Sequence, residues 1–102
     1  MSKFSKSETY NYTRRLYRLL KNHGDQITFR KLRGAYGVCD EDGDIVIDIS
    51  RGQTVATLFH EAAHFWNQDW EEEDVERFEK RIMQSLTTRQ IRNVLKSLGN
   101  IL

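Results

Sequence analysis

The segment TVATLFHEAAHFWNQDWEEEDVERF, residues 54–78, carries most of the information about the architecture of this chain. Its first half is apolar over most of a helical circumference, and a helix of this kind is expected to be buried. The helix begins either at a capping box formed by Ser50 and Gln53 or at the competing start Thr54. Its apolar positions are Val55, Leu58, Phe59, Ala62, Ala63, Phe65 and Trp66.

Two further helices are predicted downstream of this segment. After a break near residues 67–69, apolar residues recur at helical spacing from about Trp70 to Leu86. The last pattern, TTRQIRNVLKSLG at residues 87–99, ends at Gly99, where a helix C-terminus is expected. The inward residues of the first of these two helices are Val75, Phe78, Ile82 and Leu86.

Upstream, one helix and three strands are predicted. SETYNYTRRLYRLLKNHG, residues 7–24, has helical spacing and places Gly24 at the C-terminal cap. Apolar and polar residues alternate in residues 26–32, QITFRKL, which indicates a strand. Two strands around an Asp42-Gly43 turn are indicated by residues 35–50, AYGVCDEDGDIVIDIS.

The predicted hairpin has a definite register. A two-residue turn places Val38 opposite Ile47 and Tyr36 opposite Ile49. Ile45, Ile47 and Ile49 then form the buried face, and the opposite face carries Cys39 and Val46.

The order of elements, α-β-β-β-α-α-α, predicts an α+β fold in which a small antiparallel sheet is backed by helices. A chain of 102 residues is long enough for one modest core, so residues 1–102 are expected to form a single domain. Hydrophobic residues make up 38% and charged residues 30%, a balance typical of globular rather than disordered proteins.

Charge and composition exclude several classes of function. The net charge of +1, from 16 basic and 15 acidic residues, argues against binding nucleic acid through bulk charge. No apolar run approaches the ~18 residues that cross a membrane, and MSKFSKSETY lacks the apolar stretch of a secretory signal. Cys39 is the single cysteine, which fits a reducing compartment. We therefore expect a cytoplasmic protein without a membrane partner.

The pattern HEAAH, residues 60–64, predicts a metal site on the buried helix. Residues four apart project from the same side of a helix, so His60 and His64 can direct ring nitrogens at one zinc ion about 2.1 Å away. Glu61 lies beside that position and can take a proton from a metal-bound water, as a general base does. The alternative is that both histidines are core residues whose ring nitrogens are satisfied by hydrogen bonds, since unpartnered histidines in an apolar helix would be costly.

A catalytic zinc ion needs a third protein ligand, and a carboxylate on the next helix is expected to supply it. One large HExxH class, the metzincins, has glycine at the position of Asn67 and a ligand histidine at the position of Trp70, so this chain does not fit that class. No histidine follows His64, which also excludes families whose third ligand is a later histidine. Glu72 is the preferred ligand because it shares the inward face of the helix, and Glu76 is expected to accept a hydrogen bond from a ligand histidine. The other candidate ligands are Glu71, Glu73 and Glu76. Glu72 could instead close the helix start in an Asp69-x-x-Glu72 capping pattern.

The segment VATLFHEAAHFWNQDWEEEDVERFEKRI, residues 55–82, resembles the ImmA/IrrE-type zinc metallopeptidases, and most closely their short phage- or prophage-encoded relatives. In those proteins an acidic stretch opens the next helix with a pattern like E-x-x-A-N-x-F-A. On this chain the pattern begins at Glu72, with Glu79 in place of the expected small residue and seven residues between His64 and Glu72. The resemblance covers residues 34–86.

The resemblance implies a minimal zincin-like domain with a gluzincin-like site, in which His60, His64 and Glu72 hold Zn²⁺ and Glu61 is the base. It also implies that a protein or peptide substrate binds in extended form along a sheet edge. A donor that stabilises the oxyanion is expected as well, from among Tyr10, Tyr12, Tyr17, His23 and Arg51. The sequence thus predicts a small zinc-dependent metallopeptidase. There are two alternatives. The first is a non-catalytic protein of the same fold that binds a phage or host regulator. The second is a protein that regulates nucleic acid.

Overall fold

The computed structural model of the chain describes residues 3–34, 37–39, 44–48 and 53–99. The elements follow one another in the predicted order, with a short 3₁₀ turn after the first helix, and the α+β class is confirmed. Within the described residues, no helix is both long and apolar enough to cross a membrane. The elements are α1 (Lys6–His23), β1 (Ile27–Phe29), β2 (Gly37–Cys39), β3 (Ile45–Ile47), α2 (Thr54–Trp66), α3 (Glu72–Ser85) and α4 (Thr88–Gly99).

The sheet is mixed, so the prediction of an antiparallel sheet is wrong. The strand order is β1-β3-β2, with β1 parallel to β3 and β2 antiparallel to β3. An all-antiparallel sheet would require β1 to pair with β2. Instead β3 lies between them, and two reversals of chain direction separate β1 from β3, so that these two strands run the same way.

The register of β2 against β3 differs by one residue from the prediction. Val38 pairs with Val46 instead of Ile47, and Cys39 pairs with Ile45. Five residues separate the paired residues Cys39 and Ile45. A two-residue turn leaves an even number of residues between paired positions, so it cannot give this register. A slip of one residue exchanges the faces of a strand. Cys39 therefore lies on the core side and packs against the core, whereas Val38 is 46% exposed. The predicted Asp42-Gly43 turn and the Tyr36–Ile49 pair lie outside the described residues.

Helix α2 lies at the centre of the core, as its apolar circumference predicts. Phe59, Ala62 and Ala63 are fully buried, and the inner face of β3 contributes Ile45 and Ile47. The helix begins at Thr54, the competing start, because Gln53 has a left-handed backbone (φ 53°) and occupies the cap position. Gln53 therefore precedes the helix and makes no side-chain capping hydrogen bond, and Ser50, its partner in the predicted capping box, lies outside the described residues. The core is completed by Leu16, Leu19 and Leu20 of α1, Val75, Phe78 and Ile82 of α3, and Val94 and Leu98 of α4.

Candidate metal centre

His60 and His64 lie one turn apart on α2, with their ring centroids 5.1 Å from each other. Both rings face Glu72 at the start of α3. Nε2 of His60 is 2.5 Å from Oε1 of Glu72, and Nε2 of His64 is 2.9 Å from Oε2 of the same carboxylate. One ligand atom from each of the three residues lies within 4.8 Å of the others.

The chain reversal between α2 and α3 positions Glu72. Helix α2 ends at Trp66, and the amide of Asn67 still donates to the carbonyl of Ala63 at 2.9 Å. The amide of Trp70 then donates to the carbonyl of Asn67 at 3.0 Å, which closes a tight turn. Helix α3 therefore starts directly beside the histidine face of α2, and Glu72 is its first residue.

Glu72 does not close the helix start. A reciprocal pair of hydrogen bonds formed by Glu71 and Asp74 caps α3 instead, with the Glu71 amide donating to Oδ2 of Asp74 at 3.1 Å. The alternative capping pattern that begins at Asp69 is therefore not the one used. Glu71 and Asp74 supply the side-chain hydrogen bonds to the backbone amides at the start of the helix, so Glu72 is not needed for capping. Both of its carboxylate oxygens are directed at the histidines.

The donor set fits zinc. Two neutral imidazole nitrogens and one carboxylate oxygen form a combination found in catalytic zinc sites, which leave a fourth position open for water. The ligand atoms of His60, His64 and Glu72 lie within 4.8 Å of one another, so small side-chain movements would bring all three to about 2.1 Å from one ion. The exposure of the Glu72 side chain, 60%, leaves room for a further ligand from solvent.

Glu79, rather than Glu76, supports His60. Nδ1 of His60 donates to Oε1 of Glu79 at 2.9 Å, whereas the sequence predicts Glu76 for this contact. At about 100° per residue, Glu79 lies about 20° from Glu72 on the side of the buried stripe formed by Val75 and Ile82. Glu76 lies about 40° from Glu72 on the other side, and its side chain is exposed. Glu79 rather than Glu76 contacts His60 because α3 packs against α2 with the side that carries the buried stripe.

Removal of the Glu79 carboxylate is expected to weaken zinc binding. A carboxylate that accepts the second ring N–H of a ligand histidine fixes the ring and raises its basicity, and its loss costs 10–100-fold in affinity. We predict that Glu79→Ala raises the zinc dissociation constant by about that factor. Competition with a chromogenic chelator measures it. Glu76→Ala is the matched control, and an equal loss in both variants would contradict the assignment.

Glu61 is a buried carboxyl group beneath the histidines. The residue is 4% exposed, and β2 packs closely over it because residue 37 is glycine: a Cβ at Gly37 would lie 3.1 Å from Cγ of Glu61 and 2.7 Å from Cγ2 of Thr57. The pKa of Glu61 is raised to about 7: burial is the main cause, the charge of His60 opposes it, and the carboxylates of Glu72 and Glu79 add to the increase. A carboxyl group with this pKa can both accept and return a proton near neutral pH.

His60 is a stronger base than an ordinary histidine in the metal-free protein. The hydrogen bond to Glu79 is the main cause that raises its pKa to about 9, against the opposing effect of burial, and the charges of Glu72 and Glu61 add to the increase. A zinc ion that binds at neutral pH must therefore displace a proton from His60.

The stability of the metal-free protein is expected to fall as the pH rises. His60 contributes stability that is fully present below its ordinary pKa of 6.5 and is lost as the pH rises through about 9. Glu61 is also protonated more readily in the fold, so its contribution is present below 4.5 and is lost as the pH rises through about 7. Between pH 5 and pH 9 the free energy of unfolding should decrease by on the order of 5 kcal/mol, since a change of one unit in a pKa corresponds to about 1.4 kcal/mol.

Urea unfolding in the presence of a chelator measures this dependence. The control is His60→Gln, which removes one of the two titrating groups and should flatten the upper half of the curve. A free energy of unfolding that rises over this range of pH would contradict the environments assigned to Glu61 and His60.

The metal cluster opens into a cleft of about 570 Å³ between α2, α3 and β2. Glu61 and His60 form its base, and Gly37 forms part of one wall. Gln53 and Lys80 also line the cleft, although no motif in the sequence identifies them. The sequence could have indicated Glu79, because it lies seven residues, or about two helical turns, after Glu72 and therefore on nearly the same side of α3.

The four described candidates for an oxyanion donor all lie on α1, away from this cleft. They are Tyr10, Tyr12, Tyr17 and His23, and none of them lines the space around the metal cluster. Tyr12 packs against the ring of Phe78, and Nδ1 of His23 is 2.7 Å from Oε1 of Gln26. The fifth candidate, Arg51, lies outside the described residues.

The resemblance to a family covers residues 34–86, and its most specific residues lie on α2 and α3. These residues, two histidines one turn apart and a glutamate at the start of the next helix, come together in the structure. Comparison of the whole chain with known proteins finds no matching family model, no matching curated protein and no matching solved structure.

Proposed function

We propose that this protein is a zinc-dependent metallopeptidase that hydrolyses peptide bonds, with zinc held by His60, His64 and Glu72. One observation carries the proposal: His60, His64 and Glu72 come close enough to hold one metal ion, and the buried carboxyl group of Glu61 lines the same open cleft as His60 and Glu72. A purely structural zinc site has no use for such a carboxyl group, since it is closed by four protein ligands.

The residues of the chain would divide the chemistry between them. Zinc, when bound, would supply a water of lowered pKa and would polarise the carbonyl of the substrate. The carboxylate of Glu61 would hold the proton released by the attacking water and return it to the leaving amine. In the metal-free protein the pKa of Glu61 is raised to about 7, mainly by burial, and an effective general acid–base group has a pKa near the working pH. Glu79 holds the His60 ring in place through Nδ1.

Strand β2 is the sheet edge that we assign to peptide binding. It is an outer strand of the β1-β3-β2 sheet, and Gly37 lines the metal cleft. The absence of a side chain at Gly37 lets the strand lie against Thr57 and Glu61. A peptide that pairs with this edge by main-chain hydrogen bonds would cross the cleft in front of His60. These features support a zincin-like arrangement and a protein or peptide substrate.

Zinc-loaded protein incubated with a library of proteome-derived peptides tests the proposal. New peptide termini identified by mass spectrometry are expected, and a chelator should prevent their formation while added zinc restores it. Stoichiometric zinc without any cleavage would favour the alternative, a binding protein that retains the site for its structure.

A further inference from the structure

A second cleft, of about 640 Å³, adjoins the metal cleft. It lies where the N-terminal turn of α2 meets α3 and α4. Gln53, Ala56, Glu79 and Lys80 line both clefts, so the two spaces lie side by side and share these four residues as a common wall. A molecule bound at the metal site would therefore lie next to the second cleft.

The lining changes from charged to apolar between the two clefts. The metal cleft is surrounded mainly by carboxylates and histidine, whereas Met83, Ile91 and Leu95 line the second cleft beside the buried Val55. Leu95 is 47% exposed, whereas Val94 and Leu98 of the same helix are buried and Ile91 is partly buried. An apolar surface next to a polar reaction site is the usual arrangement for a pocket that selects a side chain.

We propose that this second cleft receives a large apolar side chain of the substrate, close to the scissile bond, and so sets the sequence preference of the peptidase. The inference rests on the proposed function. The wall shared with the metal cleft indicates the occupant, because a peptide anchored in the metal cleft would have side chains within reach of that wall. The substrate class is therefore peptides that carry leucine, methionine or phenylalanine near the cleaved bond.

Dipeptide hydroxamates test this inference without any need for turnover. The hydroxamate group binds zinc, and the probes are glycylglycine, leucylglycine and glycylleucine hydroxamate, which place leucine at two distances from the metal. Calorimetric titration of the zinc-loaded protein should show one leucine compound binding about 10- to 100-fold more tightly than the glycine compound, since burial of a leucine side chain gives that increase.

Leu95→Asp should remove most of this preference and leave the affinity for glycylglycine hydroxamate unchanged. Asn93→Asp is the matched control, because it adds the same charge at an exposed position on the opposite side of α4. Zinc-bound protein that binds all three hydroxamates equally would overturn the inference and leave the proposed function standing. Protein that binds no zinc would overturn both.

Discussion

Glu61→Gln is expected to bind zinc as the wild type does and to hydrolyse peptides about 10²–10⁴-fold more slowly. Glutamine has nearly the shape of glutamate and fills the same buried space under β2, where Glu61 is 4% exposed. It cannot take up a proton at neutral pH, so the reaction loses its base while the ligands His60 and His64 keep their positions. The change should appear in kcat, with zinc content constant.

Glu76→Gln is the matched control for this experiment. Glu76 lines the same cleft, is exposed and, among the contacts described, makes none with a ring nitrogen of either histidine. The same chemical change should therefore leave kcat near the wild-type value. Unchanged hydrolysis in Glu61→Gln would contradict the role of the base, and loss of zinc in that variant would place Glu61 among the ligands instead.

His60→Ala is expected to raise the zinc dissociation constant by more than about a hundredfold, beyond the effect of losing the supporting carboxylate of Glu79. Within the described residues, His60 is one of three side chains that could hold a metal ion here, and its loss leaves His64 and Glu72, fewer than the three protein ligands of a catalytic zinc site. Zinc also stabilises whichever folded protein it binds, so added zinc should raise the melting temperature of the wild type and not that of the variant.

His23→Ala provides the control for nonspecific effects of histidine removal. His23 lies at the end of α1, hydrogen bonded to Gln26, outside the metal cluster. Its variant should keep the wild-type affinity and the full thermal shift. A zinc affinity that survives His60→Ala, measured by competition with a chelator, would show that the metal binds elsewhere.

Helical periodicity predicts the helices well and also predicts that His60, His64 and Glu72 come together, for a physical reason. The apolar circumference of α2 and the spacing of His60 and His64 are local properties of one helix, and Glu72 follows from the short reversal after it. Glu76 and Glu79 could not be separated in this way, because both lie near Glu72 on a helical wheel. The choice between them depends on how α3 packs against α2, which is a tertiary property.

The sheet was predicted less accurately because its strands carry little information. The described part of each strand has three residues, too few for alternation to specify a partner. Whether β1 joins β2 or β3 depends on long-range packing, and the register of β2 depends on a turn whose length is ambiguous in an acidic, glycine-containing stretch. One consequence is functional, since the register places Gly37 and not a larger residue against Glu61.

The most direct test of the metal centre is native mass spectrometry combined with elemental analysis of the untagged protein at neutral pH. Three donors that meet on one face of α2 and α3 predict one zinc ion per chain, and a marked loss of zinc in Glu72→Ala. A wild-type protein without stoichiometric metal, even after zinc is added back, would contradict the proposed site and would make His60 and His64 core residues that pair only with glutamates.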